Sequence, residues 1–312
     1  MARSSPVRLQ PQPLQPGRLP HLSPRLRGIV YMIAAVFVFA IMDALMKGLS
    51  TRYSTVQVSC LRCLSSLACV APLLLARGTW RELRMSGTPW HLLRGLLGVT
   101  MLASFIYGVR HLSLSQAYSL YLTAPLLMTA LSVPVFHERV PTRRWLVILI
   151  GFAGVIVILR PWEAGAYPLL PAAAVAFATL CYSLSALMVR SMSRTNSRMT
   201  LVFWYLLFVA IGSGVLAVPE WRPLQPHDWW LLAALGISGT LGQLWITAAF
   251  SSAPPSVVGP FEYTALLWAF VIDRVVWTTS PSLTLVIGAL IVVGSGVFII
   301  EDERRMMVDT PP

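Results

Sequence analysis

The feature that most constrains this chain is a succession of apolar stretches, each about as long as a lipid bilayer is thick. A helix rises about 1.5 Å per residue and the hydrocarbon layer is roughly 30 Å deep, so about 20 mostly apolar residues make one crossing. Ten stretches qualify, near residues 28–49, 55–76, 90–109, 113–136, 144–160, 167–189, 199–219, 229–250, 255–277 and 281–300. The third and fifth are the weakest. Between residues 229 and 272 only Glu262 is charged, and Ser251-Ser252-Ala253-Pro254-Pro255 splits that run in two because proline has no amide hydrogen to give a helix. With 56% hydrophobic and 12% charged residues, the chain has more apolar surface than one water-soluble core can hide.

The net charge of +12 would suit nucleic acid if it lay along one polar face, but the arginines sit in short clusters between the apolar runs. Positive residues are retained on the cytoplasmic side of a membrane. Sixteen fall in the N-terminal tail (Arg3, Arg8, Arg18, Arg25, Arg27), the second, fourth and sixth connections (Arg77, Arg81, Arg84; Arg139, Arg143, Arg144; Arg190, Arg194, Arg198) and the C-terminal tail (Arg304, Arg305). Six fall on the opposite side: Lys47, Arg52, Arg110, Arg160, Arg222 and Arg274. Both termini are therefore expected in the cytoplasm of a bacterial cell whose inner membrane holds the chain. Residues 1–27, rich in Pro, Arg and Gln, are expected to be a disordered tail, and residues 301–312 a second tail. Cys60, Cys63, Cys69 and Cys181 all lie in apolar runs without zinc-site spacing, so neither a metal nor another cofactor is expected. The Cys60-x-x-Cys63 pair reads as buried packing rather than a redox couple.

Residues Pro125 to Val140 align without a gap on Pro260 to Val275: proline meets proline, and Glu138-Arg139-Val140 meets Asp273-Arg274-Val275. Each segment is followed by a final apolar helix with a Gly-Val step, Gly154-Val155 and Gly296-Val297. The chain thus reads as an all-α membrane protein of ten transmembrane helices in two five-helix repeats, residues 28–160 and 161–300. Because five is odd, the second repeat enters the membrane from the other side. Inverted repeats supply two nearly equivalent packings, one open to each face, with a site near the midplane.

The run His111-Leu-Ser-Leu-Ser-Gln-Ala-Tyr-Ser-Leu-Tyr-Leu-Thr-Ala-Pro125, followed by His137-Glu138-Arg139-Val140 and Trp145 through Gly154, resembles the end of the first repeat in the EamA-type ten-helix members of the drug/metabolite transporter superfamily. The resemblance covers residues 28 to 300. Asp43-x-x-x-Lys47, with Gln57 and Arg62, resembles members that carry riboflavin, S-adenosylmethionine, amino acids or nicotianamine-like metallophores. It implies transport of a small molecule through the bilayer, leaves cargo and direction open, and leaves a homodimer open as well. In the second repeat Asp273 replaces glutamate and the link to the last helix is two residues longer.

Charges inside a span cost about 2.5–3.5 kcal/mol each on insertion scales and usually face the protein interior. Asp43 and Arg62 lie at matching depth in adjacent spans and are candidates for pairing, with Lys47 one turn beyond Asp43 as a second partner or a snorkelling side chain. A helix-to-helix salt bridge and a substrate or gating role both fit. Glu262 has no charged neighbour within ten residues and is the candidate proton-responsive group. Tyr263, Gln243, Trp245, Tyr118 and Tyr121 are candidates to stack on, or bond to, a polar cargo, and Gln116 stands at the end of span 4 for an interfacial or a ligand role. Glu138 and Asp273 end equivalent helices on opposite faces and read as helix-end or gate residues. Gly95-x-x-Gly98, Gly151-x-x-Gly154 and Gly236-x-x-Gly239 let helices approach closely.

Rival classes fit less well. An intramembrane enzyme acting on a lipid or prenyl substrate would need clustered carboxylates or a His/Asp/Glu constellation, and a membrane sensor a sizeable soluble domain; the sequence shows neither. A reporter fused after Pro312 is expected to be active only in the cytoplasm, and activity confined to the periplasm would reverse the assigned orientation.

Overall fold

The computed structural model describes residues 24–77, 83–136, 142–159, 168–192, 195–252 and 259–309. Among these the elements are eleven α-helices and three short 3-10 turns. The helices are α1 (Pro24–Leu49), α2 (Thr55–Arg77), α3 (Thr88–His111), α4 (Leu114–Tyr121), α5 (Ala124–Phe136), α6 (Thr142–Leu159), α7 (Leu169–Met192), α8 (Arg198–Ala217), α9 (Trp229–Ser252), α10 (Thr264–Val276) and α11 (Leu283–Asp309). Pro24–Arg27, expected in a disordered tail, open α1, and α11 continues through the expected C-terminal tail to Asp309. The chain is an all-helical membrane protein of ten spans, with termini on one face (the near face) and the odd-numbered connections on the other (the far face). Apolar side chains left uncovered, such as Leu96 on α3, Leu149 on α6, Val215 on α8 and Leu290 on α11, form the surface that lipid covers.

Spans 4 and 9 are not the continuous helices that the apolar runs suggest. Span 4 breaks at Leu122–Thr123 between α4 and α5, and the described part of span 9 begins as a 3-10 turn, Gly259–Tyr263, before α10. Pro125 follows the seam of span 4 and Pro260 lies in the 3-10 turn of span 9; each proline removes an amide from the helical ladder and disfavours helical dihedrals at the residue before it. Proline alone is insufficient, since Pro72 and Pro134 lie inside α2 and α5. In span 4 the freed carbonyl of Leu120 is taken up by Thr123, through its amide (3.1 Å) and its hydroxyl (2.7 Å).

Helix packing follows the repeat. Span 1 packs on span 8 as span 6 packs on span 3; span 2 packs on span 8 as span 7 packs on span 3; and spans 2 and 7, 4 and 9, 5 and 10 pair with each other. Adding five to a span number returns a contact that exists, which is the signature of a twofold axis in the membrane plane. The small-residue steps close these contacts. Gly95 and Gly98 lie under Phe208 and Tyr205 of α8, while Gly236 and Gly239 lie against Ser65 and Ser66 of α2. Where the axis joins spans 5 and 10, Gly154 faces the Gly288 carbonyl and Gly288 faces that of Gly154, at 3.0 and 2.8 Å from an added Cβ. The four cysteines are free thiols, so Cys60 and Cys63 form no disulfide.

The axis also relates two loop clamps that tie the halves together. On the far face the Gln57 amide takes both backbone groups of Arg222, donating to its carbonyl (2.7 Å) and accepting from its amide (3.1 Å). Beside it, Arg52 (2.6 Å) and the Tyr53 hydroxyl (2.6 Å) both bond the fully buried Asp228. Burial, and then the bond to Asp228, raise the pKa of Tyr53, which keeps it the donor. On the near face the Asn196 amide does the same to Ser86, accepting from its amide (2.9 Å) and donating to its carbonyl (3.1 Å), with His91 on the Asn196 oxygen at 3.2 Å. Serines start both following helices alike: Ser54 accepts from the Gln57 amide and Ser197 from the Thr200 amide. Replacing Asn196 or Gln57 by Ala is expected to destabilise the protein by about 1–2 kcal/mol, measured as a lower thermal midpoint in detergent; an unchanged midpoint in both would remove the clamps from the account of stability.

Candidate functional site

The broken span 4 builds the site. Ser113 starts α4 with a capping box: its hydroxyl accepts from the Gln116 amide, and the Gln116 side chain accepts from the Ser113 amide at 3.0 Å. Eight residues later the helix stops, so α4 is a short, well-capped rod ending near mid-span. It carries Tyr118 and Tyr121 into the interior. The Tyr118 hydroxyl donates to the Asp43 carboxylate of α1, both side chains being buried. Tyr121 packs on Tyr182 of α7 with the rings tilted at 37° (5.1 Å between ring centres) and meets Phe105 of α3 edge-on (5.3 Å).

The expected direct pairing of Asp43 with Arg62 is not what the structure shows. Arg62 is buried and within electrostatic reach of Asp43, but its nearest partners are sulfur atoms, Met42 Sδ at 3.3 Å and Cys63 Sγ at 4.0 Å. Tyr118, from the other side of the site, takes the carboxylate instead. A guanidinium has five N–H donors and sulfur is a weak acceptor, so Arg62 retains donor capacity for a bound anion. Lys47 is likewise not an Asp43 partner: its ammonium donates to the Leu112 carbonyl (2.6 Å) and lies over the Trp277 ring (4.6 Å).

Glu262 lies in the 3-10 turn of span 9, half-buried, with no hydrogen bond or ion pair among the described residues. It is within electrostatic reach of Tyr121, Tyr182 and Tyr263, and Tyr121 also senses Asp43. Tyr121 is thus within electrostatic reach of both acids. Tyr263 is buried, its ring lying in the space that a side chain at Gly296 would fill, and its hydroxyl has no partner among the described residues. Gln116 spends its side-chain oxygen on the capping box, at the edge of a hollow of about 420 Å³ on the far face, away from the acids. Gln243 and Trp245, on α9, are half-buried and their side chains make no hydrogen bond among the described residues. Glu138 lies outside the described residues.

Asp43, Arg62 and Glu262 come from spans 1, 2 and 9, whereas Tyr118, Tyr121, Tyr182 and Tyr205 come from spans 4, 6 and 7. The candidate site is an interface with the charges on one wall and, Tyr263 of span 9 apart, the phenols on the other. Sequence reasoning missed Tyr182 and Tyr205, single phenols within apolar helices; their hydroxyls are the only signal that would have singled them out.

Inverted five-span repeats with irregular backbone in spans 4 and 9 are the build of a membrane transporter. The chain belongs to the EamA-like transporter family, whose model matches residues 26–160 and again 169–301. It is 30% identical over 286 residues to a riboflavin transporter of Vibrio cholerae (90% of this chain, 95% of that one). It is 27% identical to an S-adenosylmethionine uptake transporter of Rickettsia prowazekii (90% and 95%) and 26% identical to the pseudopaline exporter CntI of Pseudomonas aeruginosa (85% and 93%). A crystal structure with 20% identity superposes with a TM-score of 0.64 over 90% of this chain and 99% of its own, which supports the fold. Family membership sets aside the reading as an intramembrane enzyme.

If Tyr118 and Asp43 act through their shared bond, Tyr118→Phe and Asp43→Asn are coupled. The double variant is then expected to lose no more transport than the worse single variant, and strictly additive losses would show that the two act independently.

Proposed function

We propose that this transporter moves a small zwitterionic metabolite carrying a planar ring across a bacterial inner membrane by alternating access, in exchange for protons taken up at Glu262. The observation that carries the reading is Glu262 itself, a half-buried carboxylate in the break of span 9 with no protein partner among the described residues, facing a wall of phenols. A carboxylate without a cation or donor beside it is readily protonated, and a cargo cation can replace that proton. Arg62, with spare N–H donors, suits the anionic end of the same cargo. The tyrosines of spans 4 and 6 suit its ring. Both termini face the cytoplasm in this reading, following the bias of positive residues.

The relatives are a riboflavin transporter, an S-adenosylmethionine uptake transporter and a pseudopaline exporter, and so include both uptake and export. Direction here is set by the gradients across the membrane. Purified protein in proteoliposomes, assayed with flavins, S-adenosylmethionine, amino acids and metallophores with and without a pH gradient, is expected to move one class in a gradient-dependent way. Glu262→Gln keeps the size and removes the charge. It is expected to insert and fold, bind cargo with altered affinity, and lose the dependence of transport on the pH gradient. Wild-type pH dependence in Glu262→Gln vesicles would return Glu262 to a structural role and leave Asp43 as the proton site.

A further inference from the structure

Asp273, at the far-face end of α10, is among the most buried acids of the protein, at 1% exposure. Its carboxylate does not meet a cation in direct contact. It accepts from the backbone amides of Leu114 (3.0 Å) and Ser115 (2.7 Å) and from the Ser115 hydroxyl (2.7 Å). These are the first residues of α4, so an acid of the second repeat caps a helix of the first, where amide hydrogens point outward and the helix dipole favours negative charge. Lys47 of α1 reinforces the junction by donating to Leu112 just ahead of α4 while lying over Trp277 just beyond α10. Spans 1 and 9 thus grip the start of span 4 from the charged wall of the site.

The other end of that grip is the cargo site. Ser115 and Tyr118 are three residues apart and so share one side of α4, one reaching Asp273 and the other Asp43. The rod is eight residues long, about 12 Å, and breaks at Leu122–Thr123, so it can swing without carrying α5 along. A continuous span 4 would lack that freedom. On the side that faces the charged wall, the start of α4 is held by Asp273 and its middle by Asp43.

We infer that α4 is the far-face gate of the transporter, that Asp273 is the latch holding it shut, and that the Tyr118–Asp43 bond links release of the latch to occupancy of the cargo site. This rests on the transport reading above. Asp273 is a positioning residue: it touches α4, and α4 touches the site. When the far face opens, Asp273 exchanges the α4 amides for water and Lys47 leaves the Leu112 carbonyl. The local capping box of Ser113 and Gln116 stays intact, so α4 moves as a formed helix instead of unwinding.

The test needs no cargo. In full-length protein whose four cysteines are replaced by Ala, a single cysteine is placed at Ser119, on α4 one turn below Ser115 and 1% exposed. A second protein with its only cysteine at exposed Thr51 marks the far face. Labelling by a membrane-impermeant maleimide is compared in vesicles of both orientations. Asp273→Asn is expected to speed labelling of Ser119→Cys from the far face by about tenfold or more, without speeding it from the near face. Ser115→Ala, which removes one of the three bonds, is expected to give a smaller rise of the same sidedness, and it carries the test if Asp273→Asn does not fold. Unchanged rates, or a rise that is equal from both faces, would assign Asp273 to helix capping alone and overturn the latch. A failed latch leaves the proton and cargo assignments standing, and a cargo screen without a hit leaves the labelling result standing.

Discussion

Hydrocarbon offers a backbone amide no water, so a helix that breaks inside a membrane must find partners for the groups it frees. The rest of this structure depends on how span 4 meets that demand. Its central break is closed by Thr123, its N-terminus is capped locally by Ser113 and Gln116, and the remaining amides are taken by Asp273 from the opposite repeat. Every one of those partners is buried protein or its own chain. Among the described residues, the irregular backbone inside the spans lies where the two repeats meet, and that is also where a transported molecule needs polar groups.

The same constraint explains the division of the site into two walls. Charged groups inside a membrane are costly singly, and here Asp43, Arg62 and Glu262 are gathered on spans 1, 2 and 9, opposite phenols that can donate to an acid without adding charge, while Arg94 of span 3 is buried against the Leu201 carbonyl and the Tyr205 ring. Asp43 is satisfied by a tyrosine instead of an arginine, which leaves Arg62 with donors to spare and Glu262 with none offered to it. A pair of fully matched salt bridges would hold the walls together whatever was bound. A half-satisfied set leaves room for a ligand to complete it.

Much of this was legible in the sequence. The ten spans, the repeat and its inversion follow from stretch lengths and from the match of Pro125–Val140 with Pro260–Val275, because lipid imposes one length and proline one kind of break. Asp43, Arg62 and Glu262 stood out because a charge in an apolar run is rare. The partners did not. Depth along two helices placed Asp43 and Arg62 at one level, yet depth says nothing of rotation about the helix axis, and the bond went to Tyr118. Gln116 read as an interfacial or ligand residue; Ser113 and Gln116 carry the S-x-x-Q spacing of a capping box, and the structure shows both of its bonds.

The sequence by itself determined the solvent, the number of crossings and the twofold plan, since these depend on composition and spacing along the chain. Only the tertiary structure decided that Asp273 reaches α4 across 158 residues of sequence, that Lys47 turns to Leu112, and that Gln57 and Asn196 clamp opposite faces in the same way. Those choices depend on which side of one helix meets which side of another, and in lipid that is settled by the close packing of small residues and by the polar groups left to be satisfied, neither of which is a property of any single segment.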